Sequence, residues 1–444
     1  MDVNSEILQL KRRNTKVVAF FFPDDNFISS FGSIPERLAQ DNKLSVIYLY
    51  GTKGSSIEQK ERSVYVGGGI LSMVNSVDIF FVATVMDALP ASGKRVLLEH
   101  GSFAVFEPNV EQPSFENLVA RNSLHSRDSQ RQLANDYVTH SYSCFRLFDY
   151  YLASSRYFKR FALEIARAHR LPLSSGNSAL DADLYGQLKP KYPAHVIDLT
   201  VERLRIAGHT FPKQIGVIPA GYPQIDKGIV IGQNSLNTKK DTITYAPTPI
   251  DGKTDWHPYS SLLHGGENVI ESLLESFPEM YIVFKPHLSE TNESTKRIIK
   301  KFSSHPKFRL SLSGSSHAEL YSRTAVMISD FSQTAFTFSL SYLQPVVFHS
   351  PNEHLISSSV LRDGYCTGRE KVGRVVTDIE SLKSAVKELP EVAQTLREQI
   401  IAYRKSFLFN IGTSEDYICD MVPIMMGASR HHSWTCFDNV AVSD

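Results

Sequence analysis

The sequence predicts an α/β protein of two domains, and three observations carry that expectation. Short β-branched or aromatic runs alternate with polar, helix-length stretches from Val17 onward, the pattern of parallel sheets covered by helices. The chain has 444 residues, too many for one ordinary domain and enough for two of roughly 200 residues, each with its own core. In the second half, three apolar runs each end in a turn suited to an anion.

The first-half strand candidates are Val17 to Phe22, Leu44 to Tyr50, Val77 to Val82, Arg95 to Leu98, Tyr150 to Ala153 and Ile215 to Ile218. Those of the second half are Thr242 to Tyr245, Tyr281 to Phe284, Phe308 to Leu312, Ala325 to Ile328, Val346 to Phe348 and Arg374 to Val376. Lys227 to Asp241 is polar and interrupted by Gly228 and Gly232, so it is read as a linker. The expected division is therefore 1–230, an acceptor-side domain; 241–390, a nucleotide-donor domain; 391–426, closing helices; and 427–444, a flexible tail. Glu107 to His140 is long and irregular for a loop, and suits an acceptor-binding insertion or a partly helical segment.

Lys plus Arg equals Asp plus Glu at 47 each, which argues against a nucleic-acid binder and requires any anionic ligand to be met locally. Cys144, Cys366, Cys419 and Cys436 lack metal or redox spacing, as expected of reduced thiols in a cytoplasmic protein. Asp181-Ala182-Asp183 has a spacing used by some metal-dependent transferases but lies in a polar stretch, and no metal site is expected there or at His257, His264, His431 and His432. Phe158, Phe161, Ala162 and Ile165 form one helical stripe flanked by Arg156, Lys159, Arg160, Arg167 and Arg170. Such a helix covers its own sheet or makes peripheral contact with the inner face of an anionic membrane.

Chemistry is expected at the carboxyl ends of the strands, where open α/β sheets bind ligands. After Arg95 to Leu98 comes Glu99-His100-Gly101-Ser102; His100 is placed to take a proton from an acceptor hydroxyl, with Gly101 and Ser102 beside it. Tyr245-Ala246-Pro247-Thr248 and Lys285-Pro286-His287 follow two strands of the second half, and His287 is suited to charge on a phosphate. Ser329-Asp330-Phe331-Ser332-Gln333-Thr334 ends a third strand where a helix begins. Ser332 and Thr334 can serve an anion there, and Asp330 either caps the helix or binds substrate hydroxyls.

Together with Gly221-Tyr222-Pro223-Gln224-Ile225-Asp226, Pro345-Val346-Val347-Phe348 and Gly412-Thr413-Ser414-Glu415, these motifs, in this order, resemble the CDP-glycerol glycerophosphotransferase family of teichoic acid and capsule polymerases. Gln224 stands where that family usually has arginine, Pro249 and Ile250 replace a common Trp-Arg, and Gln333 interrupts a hydroxyl pair. The resemblance implies a GT-B fold, two Rossmann-like domains facing across a cleft, and a transferase moving a glycerol phosphate-like group from a CDP-linked donor to a hydroxyl of a bacterial surface polysaccharide. It implies His100, His287 and Asp330 as catalytic residues, and Tyr245, Pro247, Thr248, Lys285, Ser329, Ser332, Gln333 and Thr334 as donor contacts. The partners would be the nucleotide-activated donor and a polysaccharide or lipid-linked acceptor, with no obligatory cofactor. A GT-B glycosyltransferase using a CMP- or UDP-activated sugar is the alternative.

Overall fold

The computed structural model describes residues 3–13, 15–67, 71–99, 137–189, 194–235, 237–248, 260–287, 292–312, 317–354 and 365–439. Its strands are β1 (Lys16–Phe22), β2 (Leu44–Tyr50), β3 (Ser63–Tyr65), β4 (Ile79–Val82), β5 (Lys94–Leu98), β6 (Tyr150–Ala153), β7 (Gln214–Pro219), β8 (Thr242–Tyr245), β9 (Tyr281–Phe284), β10 (Phe308–Leu310), β11 (Thr324–Ser329), β12 (Val346–His349), β13 (Gly373–Val376) and β14 (Thr435–Asp438). The chain forms two units. Among the described residues, the first holds the chain through Gln224 together with Leu408 onward, and the second runs from Ile225 to Phe407.

The first unit has an eight-stranded sheet in the order β14-β7-β6-β5-β4-β1-β2-β3. All its pairs are parallel except β14 against β7. β1 and β4 are buried along almost their whole length, as the unbroken apolar runs Val17 to Phe22 and Ile79 to Val82 require of central parallel strands. The helix Ser414–Met426 buries Ile418, Met421, Val422 and Met425 in the same core. Its start is pinned by Glu415, which accepts from Ser33 N at 2.9 Å and from the Ser33 hydroxyl. Gly221, at φ +91°, lies against this turn: a Cβ there would come within 2.7 Å of Phe409 O and Ser414 Cβ. The Gly-Tyr-Pro and Gly-Thr-Ser-Glu motifs thus meet as a packing joint.

The second unit is a six-stranded, wholly parallel sheet, β10-β9-β8-β11-β12-β13. Counted within the unit the order is 3-2-1-4-5-6, so β8 and β11 flank the point where the connections reverse direction. Open α/β sheets bind ligands outside that point. The helices Gly266–Ser276, Glu293–Phe302 and Ile379–Phe407 bury Val269, Leu273, Ile298, Phe302, Leu382 and Leu389 against Ile243, Ile282, Phe284 and Ile328.

Three expectations are corrected. The segment read as a linker is largely the helix Pro223–Asn234. Gly228 and Gly232 let it approach the end of the helix Gln333–Tyr342, since a Cβ at Gly228 would lie 2.6 Å from Ser341 Cβ and one at Gly232 3.1 Å from Ser341 O. The closing helices fall in different units, the longer ending the second and Ser414–Met426 packing in the first. The tail is not free, because Thr435–Asp438 forms an antiparallel edge strand that buries Trp434, Cys436 and Phe437.

The basic helix Arg156–Ala168 lays Phe158, Phe161, Ala162 and Ile165 on its own sheet. Lys159 pairs with Asp181 at 2.7 Å, Arg170 pairs with Asp198, and Arg156 stacks over Phe409. The apolar stripe is therefore occupied within the unit. Asp181 also accepts from Thr435, so the Asp-Ala-Asp triplet is structural. Among the described residues, no helix is long and apolar enough to cross a membrane, and no group of three His, Cys, Asp or Glu side chains is arranged to hold a metal.

Candidate active site in the second unit

The carboxyl ends of β8, β9 and β11 bring three predicted turns to one edge of the six-stranded sheet. Asp330 ties them together. Its carboxylate is 1% exposed and accepts five hydrogen bonds: Thr248 N at 2.8 Å, Thr248 Oγ1 at 2.5 Å, Ser261 N at 2.6 Å, Ser261 Oγ at 2.8 Å and Phe331 N at 2.6 Å. A buried carboxylate is stable only when its lone pairs are satisfied, and these donors do so. The expectation that Asp330 meets substrate hydroxyls gives way to a positioning role, because both oxygens are already occupied.

Four predicted donor contacts also belong to the framework. The Tyr245 ring is fully buried, its hydroxyl lies 2.9 Å from Ser261 Oγ, and burial drives its pKa well up. Ser329, equally buried, donates to Ala246 O at 2.8 Å. Thr248 is 5% exposed and donates to Asp330, while Pro247 is buried between them. These residues shape the edge without presenting a free group to it.

The residues of these turns that are exposed or half-buried are Lys285, His287, Ser332, Gln333 and Thr334. Lys285 and Pro286 carry the chain from β9 to His287, which is exposed. Burial lowers the Lys285 amine to about 8, so it keeps its charge at neutral pH and releases it readily above that. Ser332 is the N-cap of the helix Gln333–Tyr342 and its Oγ accepts from Thr334 N at 3.2 Å. All three residues of this turn are half-buried. The first turn carries no acidic side chain to compete for the helix's positive end. His100, Gly101, Ser102, Pro249 and Ile250 lie outside the described residues.

Two imidazoles at this edge escaped the sequence reading. His317 precedes the short helix Ala318–Arg323; burial, then the Lys285 charge, lower it to about 4. His349 ends β12, is 2% exposed, and its Nδ1 has no hydrogen-bond partner among the described residues. Burial lowers its pKa while Asp330 and Asp378 oppose the shift. The rule that singled out His287, an imidazole just past an apolar strand, would have found His349.

Residues 204–423 match the model of a family described as CDP-glycerol:poly(glycerophosphate) glycerophosphotransferase. That span contains every turn of the edge just described. The structure is similar to that of the wall teichoic acid polymerase TagF, at 16% identity and a TM-score of 0.55, covering 96% of each chain. It is also similar to an S. aureus MnaA–UDP co-structure, at 14% identity and a TM-score of 0.50, covering 93% of this chain and 97% of that one. These likenesses bear out the expected GT-B fold. No curated protein matches the sequence.

Proposed function

We propose, taking as premise that residues 204–423 place this chain among the glycerophosphotransferases, that it transfers a glycerol phosphate group from CDP-glycerol to a hydroxyl of a teichoic acid-like polymer. The observation that carries this reading is the edge of the second sheet. Its framework is locked by Asp330 and its remaining groups, Lys285, His287 and the start of the helix Gln333–Tyr342, are those a diphosphate needs.

In the proposed reaction, the acceptor hydroxyl gives its proton to His100 while its oxygen attacks the phosphorus that bears glycerol. A new P–O bond forms, the bridging P–O bond to the CMP moiety breaks, and CMP departs with the electron pair. Phosphoryl transfer of this kind depends on positioning and charge stabilisation, and the groups at this edge suit both. His287, Ser332, Thr334 and the positive end of the helix Gln333–Tyr342 would meet the charge that grows on the leaving phosphate. Lys285 would hold the diphosphate by charge, and the free thiols of Cys144, Cys419 and Cys436 suit a reaction on the cytoplasmic side of the membrane.

Purified protein supplied with CDP-glycerol and a glycerol phosphate oligomer should release CMP and yield a new phosphodiester signal in the phosphorus NMR spectrum. His100→Ala should abolish turnover and leave CDP binding nearly unchanged. Release of a nucleoside diphosphate without a new phosphodiester would refute the assignment in favour of sugar transfer.

A further inference from the structure

A cavity of about 760 Å³ lies at the amino edge of the first unit's sheet, where β5, β6 and β7 begin. Its walls include Tyr150, Phe211 and Trp434, with Lys213 and Arg430 also lining it. The cavity depends on the chain's final strand, because Trp434 packs edge-on to Tyr150 at 5.4 Å. Gly216 leaves room for those rings: a Cβ there would stand 3.0 Å from Tyr150 Cδ1 and 3.7 Å from Trp434 Cε3. Trp434 is 3% exposed, and its indole N–H has no acceptor among the described residues.

The charges of this cavity are unevenly matched. Lys94 holds Asp149 at 2.8 Å, and Arg430 lies 3.8 Å from Asp438, which also accepts from Ser174 and Gln214. Lys213 is exposed and has no carboxylate within ion-pair distance among the described residues. The half-buried Phe211 ring suits the C–H surface of a polyol, the polar groups of the wall suit its hydroxyls, and the exposed Lys213 ammonium suits a phosphate. Lys94, on this wall, begins β5, and from Lys94 to Leu98 is roughly 13 Å of extended strand.

We propose that this cavity binds a polyol-phosphate segment of the acceptor or product polymer, remote from the reacting hydroxyl. The proposal rests on the glycerophosphotransferase reading for the identity of the polymer. Holding a distant repeat raises the effective concentration of the growing end, so the cavity favours successive additions to one chain.

Trp256 and Trp434 are the only tryptophans, so Trp256→Phe leaves Trp434 as a single reporter. Titrating that full-length protein with a synthetic glycerol phosphate oligomer, without donor, should change Trp434 emission saturably, and calorimetry on the wild type should give the same affinity. Glycerol and inorganic phosphate at equal concentration should give no response. Lys213→Glu should weaken oligomer binding at least tenfold and shorten the product, with CMP release on a single-unit acceptor unchanged. No saturable binding by either method, an equal response to inorganic phosphate, or unaltered affinity in Lys213→Glu would overturn the proposal. Normal CMP release with no oligomer binding at the cavity removes this inference alone. Binding without any CMP release removes the catalytic reading and leaves a polyol-phosphate site.

Discussion

The two units use the same local device, a parallel strand that ends in a serine-capped helix, with the cap fully buried in the first unit and half-buried in the second. In the first unit β6 runs into Ser155, whose Oγ accepts from Phe158 N at 3.3 Å at the start of the helix Arg156–Ala168. Ser155 is fully buried, and the first turn carries Arg156 and Lys159, both engaged within the unit. In the second unit β11 runs into Ser332, half-buried and followed by uncharged Gln333 and Thr334. The cap is alike in both, so its exposure and its neighbours decide whether the helix's positive end is a joint of the fold or a place for an anion.

The largest expected effect comes from removing what holds the open junction in place. Asp330→Ala strips five donors of their shared acceptor and should cost on the order of 3–5 kcal/mol, read as a fall in the denaturant midpoint, with loss of CDP binding. Retention of wild-type stability would mean that the knot contributes little. A paired comparison follows. Ser155→Ala and Ser332→Ala should each cost about 1 kcal/mol as lost caps, but only Ser332→Ala should also weaken CDP binding, by about tenfold. Equal effects on binding would erase the distinction between the junctions.

The smallest effect is a proton. Lys285 titrates near 8 in the folded chain against an ordinary value of 10.5, so between those values the unfolded chain binds more protons and folding stability rises with pH. The charged amine is the form that attracts a diphosphate, so CDP affinity should fall as pH climbs through 8. At pH 8 to 9, binding should take up a fraction of a proton, measured by calorimetry in buffers of different ionisation enthalpy. Lys285→Gln should remove both dependences; persistence of either would assign the proton elsewhere.

Much of this framework was readable from residue order. Leu44 to Tyr50, Tyr150 to Ala153, Thr242 to Tyr245 and Tyr281 to Phe284 coincide with β2, β6, β8 and β9, because β-branched and aromatic runs bounded by turn residues leave few other conformations. β3 and β14 escaped notice, being edge strands whose pairing is fixed by neighbours distant in sequence. Gly228 and Gly232 were legible as breakers and act instead as contact points, a distinction set by Ser341 and Tyr342 more than a hundred residues away. At the site, the three turns were legible and the division of labour was not. Asp330 is committed to Ser261, 69 residues earlier, and a hydrogen bond between two loops leaves no periodic trace in either.

Hydrogen–deuterium exchange of the full chain with and without CDP tests the placement of the donor most directly. Binding should slow exchange in the segments containing 245–248, 285–287 and 330–334 and leave the Ser155 junction unchanged. Saturating CDP that leaves all three segments at their free rates, with protection elsewhere, would contradict the site.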